Sequence, residues 1–252
     1  MQQPDLFGAP EEAPPDLPDK GIGGSEVAAI FHLHPGLSAG DLWRRKTDRP
    51  VAFERSAAMR RGVALEPIVR WLYGRQTGQE VGAGVRARHA RWAEGVAMIA
   101  ATDGSLPGGR IFEAKTTVFE SHRHQLFDQG SVPVEYALQL QHYAATCGAS
   151  GGVICCLSGP RRPPPWTGEP WQLTAIGWRR IEAVGELLEQ AVAGWVTDFV
   201  LGDVEPPDHH PDAARLSALL GEPGWLDPPL IWTGDRLDRP PKPSPSAQLA
   251  LL

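Results

Sequence analysis

Proline decides where this chain can build regular structure. It lacks the amide proton that helices and sheet ladders require, and fifteen of the 25 prolines in the 252 residues lie in the first 19 residues or from Pro206 onward. Residues 1–19 combine five Pro with five Asp or Glu and no Lys or Arg. Such a segment buries too little apolar surface to offset the entropy of ordering, so a disordered acidic tail is expected. The segment 206–252 (PPDHHPDAAR, then WLDPPLIWTG and DRPPKPSPS) is expected to be a Pro-rich extension, irregular where it lies on the core and at least partly disordered. One folded domain over residues 20–205 remains, long enough for a sizeable core.

Other classes are excluded more simply. The N-terminus carries neither a basic nor an apolar leader region, and no run of about 18 apolar residues occurs, so a soluble cytoplasmic protein without a membrane partner is expected. Cys147, Cys155 and Cys156 are too few for a disulfide framework or a four-thiolate metal site and read as buried thiols of a reducing compartment. The pairs His32/His34, His122/His124 and His209/His210 lack Cys or acidic companions at zinc-ligand spacing and read as surface or loop residues.

A net charge of −6 argues against a protein coated in positive charge. Residues 41–91, however, hold 12 Lys or Arg against 5 Asp or Glu, a net +7 that leaves −13 for the other 201 residues. That asymmetry fits either a polyanion-facing surface or solvated helix faces.

Patterning predicts alternating elements. A short helix follows Gly23-Gly24-Ser25 to Phe31, with Ser25 as its N-cap, and a second spans Leu42 to Lys46. Ala57 to Gln76 reads as a longer helix burying Val63, Ile68, Val69, Leu72 and Tyr73, with Pro67 imposing a kink or a helix start near Glu66. Strand-like runs follow at Glu80–Val85, Val96–Thr102 and Arg110–Thr116, the last two paired as a hairpin across Pro107-Gly108-Gly109. Helix 134–147, strands 152–157 and 172–176, and a long amphipathic helix 178–201 complete an α/β fold in which a small mixed sheet is flanked by helices. Trp43, Trp71, Trp178 and Trp195 are expected in helix packing, while Trp166 and Trp171 flank a Pro-rich loop where bases could stack.

The chemistry concentrates in TDGSLPGGRIFEAK, residues 102–115. Asp103 precedes the turn, and Glu113 and Lys115, two apart on a strand, project from one face. Charges on an apolar strand are costly without partners or a metal. Two carboxylates and a backbone carbonyl form a hard oxygen site suited to Mg²⁺, and a lysine beside it can orient or deprotonate water or stabilise negative charge. The competing reading is a charged edge hairpin on the surface.

The segments GIGGSEVAAIF (21–31), LWRRKT (42–47), MRRGVALEPIVRWLYGRQTG (59–78), ATDGSLPGGRIFEAKT (101–116) and YALQLQHYAATCG (136–148), taken in order, resemble the YqaJ-like viral recombinase, or lambda exonuclease, family of the PD-(D/E)XK nuclease superfamily. The resemblance implies a restriction-endonuclease-like core with Asp103, Glu113, the Ala114 carbonyl and Glu66 around Mg²⁺ (or Mn²⁺ as a substitute) and Lys115 as the catalytic lysine. Gln139 is then the helix glutamine that contacts that lysine or the water, Tyr136 and Tyr143 are aromatic positions of the same helix, and Ser25 lies near a terminal 5′-phosphate. Arg44, Arg45, Lys46, Arg60 and Arg61 are expected along the DNA backbone. The implied activity is 5′-to-3′ exonuclease action on linear double-stranded DNA ends, leaving 3′ single strands for a single-strand annealing partner, with a homotrimeric ring as the family's assembly.

Two departures qualify this. The arginine that family members place shortly before the serine is absent, Lys20 being the only basic residue upstream, and Thr102 replaces the usual Pro before Asp103. Alternative readings are a structure-specific or single-strand endonuclease with the same metal site, and a DNA-binding module whose nuclease site has decayed. At the ends, Gln3-Pro4-Asp5-Leu6-Phe7 and Gln248-Leu249-Ala250-Leu251-Leu252 look like sliding-clamp-binding peptides, with Gln3, Leu6, Phe7, Gln248, Leu251 and Leu252 as the contacting residues.

Overall fold

The structure is a computed structural model, and it describes residues 21–50, 56–89, 98–161 and 168–237. The two clamp-like peptides, Lys20 and Trp166 lie outside the described residues. Among the described residues sixteen elements follow in order. The ones that build the site are α3 (Ala57–Thr77), β3 (Met98–Ala101), β4 (Gly104–Leu106), β5 (Arg110–Val118), α4 (His122–Asp128), α5 (Val134–Cys147), β6 (Gly151–Gly159) and β7 (Trp171–Arg179). Around them lie β1 (Ile22–Gly23), α1 (Val27–Ile30), α2 (Ala39–Lys46), β2 (Arg86–His89), α6 (Glu182–Trp195), α7 (Ala213–Gly221) and β8 (Leu230–Gly234).

A five-stranded sheet runs β4-β5-β6-β7-β8, and β1-β3-β2 form a smaller one. Strands β5 and β6 are parallel, so the chain must cross over between them, and α4 and α5 are that crossover. Every residue of β6 is buried, as expected for a central strand covered on both faces. One face, with Phe112, Cys155, Leu157 and Leu173, packs under Leu65, Val69, Leu72 and Tyr73 of α3. The other, with Ile111, Ile154, Cys156 and Ile176, packs under Ala137, Leu140 and Ala144 of α5.

Several sequence expectations change. Helix α3 runs 21 residues through Pro67 without starting afresh. Its buried positions repeat as Leu65, Val69, Leu72 and Tyr73, so Val63 falls out of phase and is 64% exposed. Pairing also differs: β3 joins the small sheet, parallel to β1 and antiparallel to β2, and the partner of β5 across the Pro107-Gly108-Gly109 turn is β4. Gly108 and Gly109 both adopt positive φ, 78° and 70°, the conformation that the turn requires and that glycine tolerates best. Glu80–Val85 contributes one isolated bridge, Gly82 to Ser105, instead of a strand.

Trp178 shares a face of β7 with Ile176, and helix α6 begins only at Glu182 and ends in a wide π turn over Val196–Leu201. Beyond Pro206 the chain is not irregular throughout: α7 buries Leu216, and β8 pairs antiparallel with β7. Ser25 is exposed and does not cap α1, whose N-cap position is Glu26. Among the described residues no helix is long and apolar enough to cross a membrane.

Candidate active site

At Asp103 the chain leaves the small sheet and enters the large one, between β3 and β4. Its Oδ2 accepts a 2.8 Å hydrogen bond from the Ala114 amide. Strand β4 covers β5 only from Arg110 to Phe112, so the edge beyond is open to this carboxylate. The N–H and C=O of one strand residue point to the same edge, which turns the Ala114 carbonyl toward Asp103 as well.

Glu113 and Lys115 both face α5. The Lys115 amine donates to Glu113 Oε1 at 2.7 Å and to Gln139 Oε1 at 2.8 Å, and Gln139 Nε2 donates to Glu113 Oε1 at 2.8 Å. The same Nε2 donates to the Tyr143 hydroxyl, which donates to the Ala101 carbonyl. Lys115 Nζ also sits 4.6 Å from the centre of the Tyr136 ring. On α5, positions 136, 139 and 143 share one face, so all three side chains reach β5.

Glu113 is 2% exposed, and its Oε2 is buried with no hydrogen-bond partner, whereas Oε1 takes two donors. A bare buried carboxylate oxygen is costly. Burial pushes the Glu113 carboxyl up to about 7, against the neighbouring Lys115 ammonium and with help from the Asp103 and Glu66 charges. Burial is the largest influence on Lys115 and would lower its pKa, but the Glu113 charge, Tyr136, the hydrogen bond to Glu113 and the Asp103 charge together outweigh it and raise the amine above the ordinary lysine value. Lys115 is therefore an ammonium at neutral pH.

Glu66 stands on α3 at the rim of this group. Burial raises its pKa, then Asp103 raises it further, while Arg70 and Lys115 oppose. Its near cation is Arg70, at 3.9 Å. Among the described residues no three His, Cys, Asp or Glu side chains form a ready-made metal cage. The donors at hand are thus Asp103, the orphaned Oε2 of Glu113 and the Ala114 carbonyl, all hard oxygens. They fit a cation such as Mg²⁺ that keeps waters and substrate phosphate oxygens in its remaining positions, and Glu66, whose charge acts on both Asp103 and Glu113, is the further expected donor.

The basic residues divide into two groups. Arg44 pairs with Asp41 at 3.1 Å and Glu205 at 2.8 Å, Lys46 pairs with Glu26 at 2.8 Å with its side chain 10% exposed, and Arg49 pairs with Asp203 at 2.7 Å. Much of the local positive charge is thus balanced by acids from distant segments. Arg45 is half-buried and acts electrostatically on His34 together with Glu135 and Arg123. Arg60 and Arg61 lie on the first turns of α3, where Gly62 faces Thr116 of β5 and Glu66 follows one turn on. Arg61 is repelled by Arg161 at the start of the β6–β7 loop, a residue that sequence patterning passed over.

Ser25 follows Gly24, whose backbone rests on the Tyr143 ring: a Cβ on Gly24 would come within 2.5 Å of Tyr143 Cε1. Trp171 is buried, and its indole N–H bonds the Arg236 carbonyl, so it offers no stacking surface. His142, also missed, is fully buried with Nε2 3.1 Å from the Ile99 carbonyl, and burial lowers its pKa to about 4. It ties α5 to β3 as a neutral imidazole.

Comparison with known proteins bears on the fold and the family. In solved structures the fold is similar to an alkaline exonuclease (LHK-Exo) from Laribacter hongkongensis, with TM-score 0.54 and 22% identity over 80% of this chain and 95% of that one. It is also similar to a phage-related exonuclease from Haemophilus somnus 129PT, with TM-score 0.53 and 13% identity over 73% and 96% of the two chains. In sequence the chain is 32% identical over 133 residues to the protein YqaJ of Bacillus subtilis (strain 168), a match that covers 51% of this chain and 40% of that relative. A family model for the YqaJ-like viral recombinase domain matches residues 16–150, which include Glu66, Asp103, Glu113, Lys115 and Gln139, so the chain belongs to the YqaJ-like viral recombinase family.

Proposed function

We propose that this chain is a divalent-metal-dependent deoxyribonuclease that degrades linear double-stranded DNA from its 5′ ends and leaves 3′ single strands for an annealing partner. The observation that carries the reading is the Glu113–Lys115–Gln139 network, which fills Oε1 of Glu113 and leaves Oε2 bare in a carboxylate that feels the Asp103 charge. Family membership and the exonuclease folds it resembles support the same chemistry.

Asp103, Glu113 and the Ala114 carbonyl would hold the cation, and Mn²⁺ should substitute for Mg²⁺. Bound there, the cation supplies Lewis acidity to a phosphate oxygen and lowers the pKa of water. The protein's own groups do the rest. Lys115, kept as an ammonium by Glu113, donates to the attacking water or to the charge developing on the phosphate, and so orients rather than deprotonates. Gln139 fixes the direction of that amine, and Tyr136 covers it with an aromatic face. Glu66 adds negative charge at the rim. Arg60 and Arg61, one to two turns away on α3, are placed to meet DNA backbone phosphates. In-line attack by water, whose proton passes to solvent, then breaks the bond from phosphorus to the 3′-oxygen, which leaves as a hydroxyl after taking a proton from water, and gives a 5′-phosphorylated product without a covalent enzyme intermediate. A homotrimeric ring, the family's assembly, is proposed with this activity.

The test is digestion of end-labelled linear, nicked and circular duplexes with Mg²⁺, with and without a 5′-phosphate. Release of 5′-end label from linear duplex alone is expected. Cleavage of circles would overturn the exonuclease reading in favour of an endonuclease, and no cleavage of any substrate would overturn the nuclease reading.

A further inference from the structure

We infer that Tyr143 is the positioning residue of this site: it holds the Gln139 amide in the one orientation that caps Glu113 Oε1 and leaves Oε2 free for metal. The inference rests on the metal-nuclease reading above. A glutamine amide presents nearly isosteric faces, an acceptor and a donor, and only its neighbours decide which way it turns. Lys115 can only donate, and Glu113 Oε1, which already takes the Lys115 donor, can only accept. The Tyr143 hydroxyl has one hydrogen and spends it on the Ala101 carbonyl at 2.9 Å, so toward Gln139 it too can only accept. All three neighbours therefore demand the same amide direction. The two N–H bonds of Nε2 divide between Glu113 Oε1 and the Tyr143 hydroxyl, each at 2.8 Å.

Tyr143 also links two sheets. Ala101 ends β3, two residues before Asp103, while Gln139 reaches Glu113 and Lys115 on β5. The chain of bonds Ala101–Tyr143–Gln139–Glu113 therefore spans from the approach to one proposed metal carboxylate to the other. The ring itself is 4% exposed and is backed by Gly24, where no side chain would fit. Removing only the hydroxyl leaves the ring packing intact and frees the amide to tilt, after which Nε2 no longer holds Oε1 in place.

Mn²⁺ affinity measured by titration calorimetry on the intact chain, with kcat and KM on linear duplex DNA, tests this. Tyr143→Phe is expected to weaken Mn²⁺ binding about tenfold, the effect usual for a group that orients a ligand, and to lower kcat with KM within twofold of wild type. Because Tyr143 acts through Gln139, the double variant with Gln139→Leu should bind Mn²⁺ no more weakly than Gln139→Leu alone. An Mn²⁺ affinity of Tyr143→Phe within twofold of wild type, or losses that multiply in the double variant, would overturn the inference. Should Tyr143→Phe fail to fold, Gly24→Ala carries the same test, since it displaces the ring and keeps the hydroxyl. The same tenfold loss is then expected, and unchanged affinity counts against. Wild-type protein that binds no Mn²⁺ would remove the metal reading itself, an outcome separate from any difference between variants.

Discussion

Gln139 and Glu113, 26 residues apart, meet at 2.8 Å between the middle of α5 and the middle of β5. The contact joins a helix to the strand it covers at the one place where that strand buries charge. Packing and chemistry are therefore set by the same crossover.

Lys115→Ala should abolish Mg²⁺-dependent degradation of linear duplex, by about 10³-fold or more, because the ammonium aimed at the reacting phosphate is gone. Binding to duplex DNA, followed in Ca²⁺ by gel shift, should stay within about threefold, since the proposed backbone contacts, Arg60 and Arg61, lie on α3. Wild-type digestion by this variant would remove Lys115 from the mechanism.

The pH dependence follows from Glu113. Its folded pKa of about 7 lies above the ordinary 4.5, so the folded protein binds the extra proton between those values. The stabilising contribution of the neutral carboxyl is present at acid pH and is lost as pH rises through about 7. Relative to Glu113→Gln, metal-free wild type should thus lose melting temperature from pH 6 to pH 8, the lowered His142 pKa acting alike on both, while Mn²⁺ affinity, which requires the carboxylate, should rise through the same window.

On α3, Leu65 is fully buried and Val63 is 64% exposed. Leu65→Ala should cost about 2–5 kcal/mol of stability through the cavity it leaves. Val63→Ala should change stability by no more than about 0.5 kcal/mol. Urea unfolding of both variants distinguishes this helix phase from one that buries Val63.

The double variant Arg60→Ala/Arg61→Ala should weaken duplex binding and reduce the slope of log affinity against log salt by about 1 for each phosphate no longer neutralised. Arg44→Ala, whose guanidinium already faces Asp41 and Glu205, should leave that slope unchanged. A salt titration of fluorescent duplex binding measures both.

Local patterning made a good part of this legible. The 134–147 helix matches to the residue, and the shared face of Glu113 and Lys115 follows from strand geometry alone. The Pro107-Gly108-Gly109 turn was also readable, but the strand entering it was not. β4 has only three residues, too few for a periodic signal, and the stronger run 98–101 pairs with residues more than 70 positions earlier in β1. The +7 of residues 41–91 likewise counts charge along the chain, whereas Glu26, Asp203 and Glu205 return to neutralise part of it in space.

What the amino-acid order determined by itself was therefore most of the element types, the ends rich in proline, and Asp103, Glu113, Lys115 and Gln139 as the candidate site residues. Only the tertiary structure decided which carboxylate oxygen is left bare, which acids pair with Arg44, Lys46 and Arg49, and that Tyr143 ties Gln139 to the Asp103 strand. Backbone periodicity is a short-range property written into neighbouring residues, whereas hydrogen-bond partners, burial and charge pairing depend on which distant segments the fold brings together.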